Sequence, residues 1–94
     1  MVRQIEPAEA WQQAHRGELE ILDLRTRQER RRHGAPPGAR KVSVLRHALW
    51  PREDDTAYLC QHANRSKLTA WRGAPEIAGG FTRWDDTGLP VEHP

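Results

Sequence analysis

Cysteine, long apolar runs and any strong excess of one charge are what this sequence lacks. Cys60 is the single cysteine among 94 residues, which excludes an internal disulfide and a cysteine-based zinc site. One reduced thiol fits a reducing compartment. No apolar window is long enough to span a bilayer. The opening segment, Met-Val-Arg-Gln-Ile-Glu-Pro, lacks the apolar centre of a signal peptide. The expected location is therefore the cytoplasm, with no membrane partner. Fifteen Lys and Arg face thirteen Asp and Glu, for a net charge of +2 and a pI near 9.2, a mild balance that does not demand a nucleic-acid partner. There is no internal repeat and no low-complexity tract.

The length supports one domain, residues 1–94. A chain of this size buries only about 60–65% of its unfolded surface, so its stability margin is modest. With 36% hydrophobic and 30% charged residues and a mean hydropathy of −0.91 the chain is polar. Its apolar residues are clustered, however, which argues against disorder throughout. Five of the arginines fall between Arg25 and His33. That run reads as a solvated helix face plus linker, the alternative being long-range attraction of small anions towards a nearby pocket. No aromatic stacking platform stands beside Arg30, Arg31 and Arg32, so nucleic-acid binding is the weaker reading.

The order of elements follows from local pattern. Val2 to Ile5 suits a short edge strand, and Pro7 starts a helix well because its missing N–H is not needed in the first turn. Ala8, Trp11 and His15 sit at helical spacing, and Gly17 stops the helix. Leu19-Glu20-Ile21-Leu22-Asp23-Leu24 reads as a strand buried on both faces, as parallel sheets require. Thr26 and Glu29 form a capping-box pattern for a short helix through Arg32. The segment from Gly34 to Ala39 is loop, Lys41 to Leu45 a further strand, Arg46 to Trp50 one helical turn, and Arg52 to Asp55 a charged turn. After Tyr58-Leu59-Cys60 and a helix over residues 66–72, Glu76-Ile77-Ala78 is the last strand. Gly79-Gly80 then turn the chain into a short helix docked by Phe81 and Trp84. Alternating strands and helices predict a small α/β domain with a mainly parallel sheet of four or five strands flanked by short helices.

The chemistry concentrates in residues 56–71. The apolar run Ala57-Tyr58-Leu59 delivers Cys60 into a short polar loop ending at Arg65, and a helical pattern starts at Ser66. Loop amides, the positive end of a helix and a guanidinium all favour a thiolate over a thiol. The same groups can hold an oxyanion over the sulfur. The plain alternative is a cysteine that serves as a small buried hydrophobe. Asp23 and Arg25 stand at the carboxyl end of a strand, where open α/β sheets place ligands. They read as a structural ion pair or as supporting groups beneath the site.

Four blocks together carry a family resemblance. They are Ile21-Leu22-Asp23-Leu24-Arg25-Thr26, the loop closing on Pro37-Gly38-Ala39, Tyr58-Leu59-Cys60-Gln61-His62-Ala63-Asn64-Arg65-Ser66, and Ala78-Gly79-Gly80-Phe81-Thr82-Arg83-Trp84 followed by Gly88-Leu89-Pro90-Val91. In this order they resemble a single rhodanese domain over about residues 17–92. The resemblance implies a rhodanese-like fold and a thiosulfate sulfurtransferase that needs no cofactor and no metal. Its substrates would be a small sulfur-containing anion and a thiol or cyanide acceptor, with room for a protein partner in sulfur relay. Cys60 would be the nucleophile and persulfide carrier. Gln61, His62, Ala63, Asn64, Arg65 and Ser66 would bind substrate, Arg65 anchoring the far side of the loop and His62 facing outward. Asp23 and Arg25 would support the loop from below.

Loop length bears on the chemistry. Four residues separate Cys60 from Arg65, one fewer than in the Cys-x5-Arg loop of protein tyrosine phosphatases, so sulfur transfer is expected rather than phosphoryl transfer. Ala63 stands where the family's loop usually carries glycine. Segments 45–56 and 66–78 are short against the family pattern. The alternative within the same resemblance is a non-catalytic binding or persulfide-carrier module.

Overall fold

Five short strands and three helices are placed by the computed structural model, which describes residues 4–43, 55–61 and 75–93. In chain order these are β1 (Gln4–Ile5), α1 (Pro7–His15), β2 (Glu20–Asp23), α2 (Arg27–His33), β3 (Arg40–Lys41), β4 (Thr56–Leu59), β5 (Glu76–Ile77) and α3 (Gly80–Asp86). The sheet runs β1-β5-β4-β2-β3, and every pair in it is parallel. This is the α/β architecture and the parallel sheet that the alternation of elements predicts.

Period-two alternation explains how the central strands are buried on both sides. On one face Ile21, Ala57, Leu59 and Ile77 pack with Ala10 of α1 and with Phe81 and Trp84 of α3. On the other, Leu22 and Tyr58 cluster with Leu24 and Val42. Glu20, Ile21, Leu22 and Asp23 lie in register with Thr56, Ala57, Tyr58 and Leu59. The carboxyl ends of β2 and β4 therefore sit side by side, bringing Asp23 next to the residue that precedes Cys60.

The local signals act as expected. Pro7 opens α1, and Gly17 follows its end with φ of 75°. Thr26 caps α2, its hydroxyl accepting from the Glu29 amide at 3.1 Å while the Glu29 carboxylate accepts from the Thr26 amide at 2.9 Å. The strand expected over Lys41 to Leu45 differs. It is only Arg40–Lys41, beginning one residue earlier; residues 44 and 45 lie outside the described chain. Past Asp23 the Leu24 amide bonds to the Leu59 carbonyl at 2.8 Å and the Arg25 amide is taken by the Asp23 side chain at 3.0 Å. The Val42 amide still meets the Asp23 carbonyl at 2.9 Å, and the strand pairing of β3 described with β2 is Leu22 with Arg40 and Asp23 with Lys41. The helical turn over 46–50 and the helix over 66–72 fall outside the described residues, as does the charged turn apart from Asp55.

The C-terminal tail is tied back to the domain. Ala35 and Glu92 exchange two backbone hydrogen bonds of 2.8 Å each as an antiparallel bridge. Trp84 Nε1 donates to the Pro90 carbonyl at 2.9 Å. Among the described residues no helix is long and apolar enough to cross a membrane.

Candidate functional site

Cys60 immediately follows β4, at the carboxyl edge of the sheet and between the neighbouring strands β2 and β5. Two backbone hydrogen bonds fix it and the residue after it. The Phe81 amide donates to the Cys60 carbonyl at 2.8 Å, and the Thr82 amide to the Gln61 carbonyl at 3.1 Å. The Thr82 hydroxyl adds a third, reaching the Gln61 carbonyl at 3.0 Å. Both amides belong to the first turn of α3, where helix N–H groups have no partner inside the helix. Gly79 makes that turn feasible: its φ is 71°, and a Cβ there would run into the Arg83 side chain. The pair Gly79-Gly80, read in sequence as a turn, thus serves to aim α3 at the cysteine.

The sequence places Asp23 and Arg25 together, and the structure makes them a fully buried ion pair with neither side chain exposed. Asp23 Oδ2 accepts from Arg25 Nη2 at 2.8 Å, and Oδ1 accepts from Arg25 Nε at 3.0 Å. This is the two-pronged fit of a guanidinium to a carboxylate. Arg25 has further partners. Nη2 also donates to the Gly34 carbonyl at 2.8 Å, Nη1 donates to Gln61 Oε1 at 3.2 Å, and Cζ lies 4.2 Å from the centre of the Phe81 ring. Arg25 therefore bridges the end of β2 to the residue after Cys60 and to the helix that holds Cys60.

Arg30 stands behind this pair. Its Nε lies 3.1 Å from Asp23 Oδ2, within ion-pair range but outside hydrogen-bond geometry. Its Nη2 is directed to the Ala39 carbonyl at 3.0 Å. Gly34 is needed for its backbone: φ is 86°, and a Cβ would clash with Val91. Sequence reasoning missed Gly34, Phe81, Thr82 and Arg30 as parts of this network. Their link to Cys60 runs through backbone amides, a carbonyl and a ring face, which leave no residue-type signature.

Of the expected site, Cys60 and Gln61 are described together with Asp23 and Arg25, while His62, Ala63, Asn64, Arg65 and Ser66 lie outside the described residues. Cys60 is only 1% exposed, less open than an accessible nucleophile was expected to be. Burial follows from its position, one residue past a strand whose four side chains are all buried and against the first turn of α3. The main chain at Cys60 and Gln61 is held by the bonds from Phe81 and Thr82 at the carboxyl edge of the sheet.

No protein-family model and no curated relative matches the sequence. Solved structures do. A protein of unknown function from Rhodopseudomonas palustris, described as a possible tyrosine phosphatase, superposes with a TM-score of 0.80 at 24% identity, over 97% of this chain and 85% of its own. A rhodanese-related protein from Thermoplasma volcanium gives 0.78 at 20% identity, over 98% of this chain and 99% of its own. A rhodanese-like domain protein from Staphylococcus aureus gives 0.67 at 20%, over 96% and 98%. The shared sheet and helices, with Cys60 at the carboxyl edge of β4, give this chain the fold of a rhodanese-like domain.

Proposed function

We propose that the protein is a sulfurtransferase that carries a sulfane sulfur on Cys60. The observation behind this reading is the fixed setting of Cys60, with its backbone held by α3 and the next residue, Gln61, held by the Asp23–Arg25 pair. A nucleophile locked in place loses little freedom on reaching the transition state. The Cys60 thiolate attacks the outer sulfur of thiosulfate, the S–S bond breaks, and sulfite leaves with the bonding pair. The outer sulfur of the resulting persulfide is then attacked by cyanide or a thiolate. A new bond to sulfur forms, the persulfide S–S bond breaks, and the Cys60 thiolate returns. His62, Ala63, Asn64, Arg65 and Ser66 contact the donor in this reading, Arg65 by charge. The setting is a reducing one, the cytoplasm, and a sulfur-relay protein is an alternative acceptor.

The burial of Cys60 sets the scale of substrate. A small anion asks less of the surroundings of the sulfur than a bulky substrate does. The four-residue interval to Arg65 further favours one sulfur atom over a phosphoryl group, so hydrolysis of an aryl phosphate is not expected.

The test is a steady-state assay. Purified protein given thiosulfate and cyanide is expected to form thiocyanate, and Cys60→Ser to abolish it while the native fold is retained. Wild-type turnover no greater than that of Cys60→Ser rejects the catalytic reading and leaves the non-catalytic carrier or binding module.

A further inference from the structure

A second feature of the carboxyl edge has no part in the chemistry above. Arg27, Arg30 and Arg31 of α2, with Lys41 of β3, line an open cleft of about 410 Å³. Residues three and four apart on a helix share a face, so Arg27, Arg30 and Arg31 project together. Arg30 shares the Asp23 carboxylate with Arg25. The side chains of Arg27, Arg31 and Lys41 have no acidic partner among the described residues. Like charges at this spacing repel one another, and an anion between them relieves the repulsion.

We propose that this cleft binds a small molecule through adjacent phosphoryl groups, as in a diphosphate. Three arguments select that class. Guanidinium groups match phosphate oxygens in a two-pronged geometry, and a lysine adds a point charge. Several cations around one small space suit a ligand whose negative charges are close together. Every described lining residue is a cation, so the charged end of the ligand is what these side chains grip. Its place agrees with the rule that open α/β sheets bind ligands beyond the carboxyl ends of their strands. Lys41 pairs with Asp23 and Asp23 with Leu59, so two strand spacings, about 10 Å, separate the Lys41 backbone from the residue before Cys60. The inference does not depend on Cys60 being a nucleophile.

Titration calorimetry with inorganic pyrophosphate at physiological salt tests it. One molecule is expected to bind per chain. The double variant Arg27→Ala/Arg31→Ala, both side chains being exposed, is expected to weaken binding at least about tenfold with its thermal melt unchanged. Arg16→Ala/Arg83→Ala removes the same charge elsewhere and is expected to leave binding intact. A parallel titration with ADP separates sources: affinity equal to that of pyrophosphate marks recognition of the phosphates alone, and a total loss with ADP overturns an organic diphosphate as ligand. Absence of pyrophosphate binding, or equal weakening in the two double variants, overturns the proposal.

Discussion

Asp23→Ala is expected to destabilise the domain by about 3–5 kcal/mol, the cost of leaving one half of a buried ion pair uncompensated. The carboxylate has several donors to lose. It accepts from the Arg25 amide, Nε and Nη2 and faces Arg30. Without it Arg25, itself 0% exposed, keeps among the described residues the Gly34 carbonyl, Gln61 and the Phe81 ring. None of these carries negative charge. Small domains are stable by about 5–15 kcal/mol in all, so a large part of the margin disappears. Urea unfolding should show the midpoint falling steeply, and the melting temperature should drop by more than about 10 °C. Asp23→Asn retains an oxygen acceptor and should fall between wild type and alanine. A loss below about 1 kcal/mol for Asp23→Ala would show that Arg25 finds water or another anion, and that the pair does not organise the end of β2.

Trp84→Ala is expected to cost about 3–5 kcal/mol as well, by a different route. Trp84 is fully buried in the core face shared by α1, α3 and the sheet. Its ring meets Trp11 edge-on with 6.2 Å between centres, an arrangement favoured by ring quadrupoles. Its Nε1 holds the Pro90 carbonyl, so truncation opens a cavity and also releases the turn that leads into the C-terminal bridge at Glu92. Because α3 supplies the amides that fix Cys60 and Gln61, any loosening reaches the candidate site. Trp84→Phe keeps much of the ring but loses the hydrogen bond, and chemical denaturation should place it well short of alanine. Equal losses for the two variants would mean that the bond to Pro90, rather than the packing, dominates.

What the sequence makes legible is local. Thr26 and Glu29 announce the α2 cap because both partners lie within one turn. Pro7 announces the start of α1, and the apolar run over Ile21 and Leu22 a strand covered on both faces. The Asp23–Arg25 pair reads as structural because two residues at a strand end can close on each other. What stays hidden is non-local. Gln61 meets Arg25 from 36 residues away and Thr82 from 21, and nothing in either segment names the other. The buried Glu76, which accepts from Gln4 Nε2 at 2.9 Å, joins strands 72 residues apart in sequence and had no signal of its own.

The position of Cys60 is the point on which the functional account turns. The residue follows β4 with β2 and β5 on either side and the first turn of α3 on its carbonyl, and it is almost completely covered. A core cysteine and a guarded nucleophile share that geometry and differ only in reactivity. The direct measurement is intact-mass analysis of the native protein after incubation with thiosulfate. A mass gain of one sulfur, reversed by cyanide and absent in Cys60→Ser, is the expected result. An unchanged mass, in protein whose Cys60 becomes reactive on unfolding, would contradict it and make the residue part of the core.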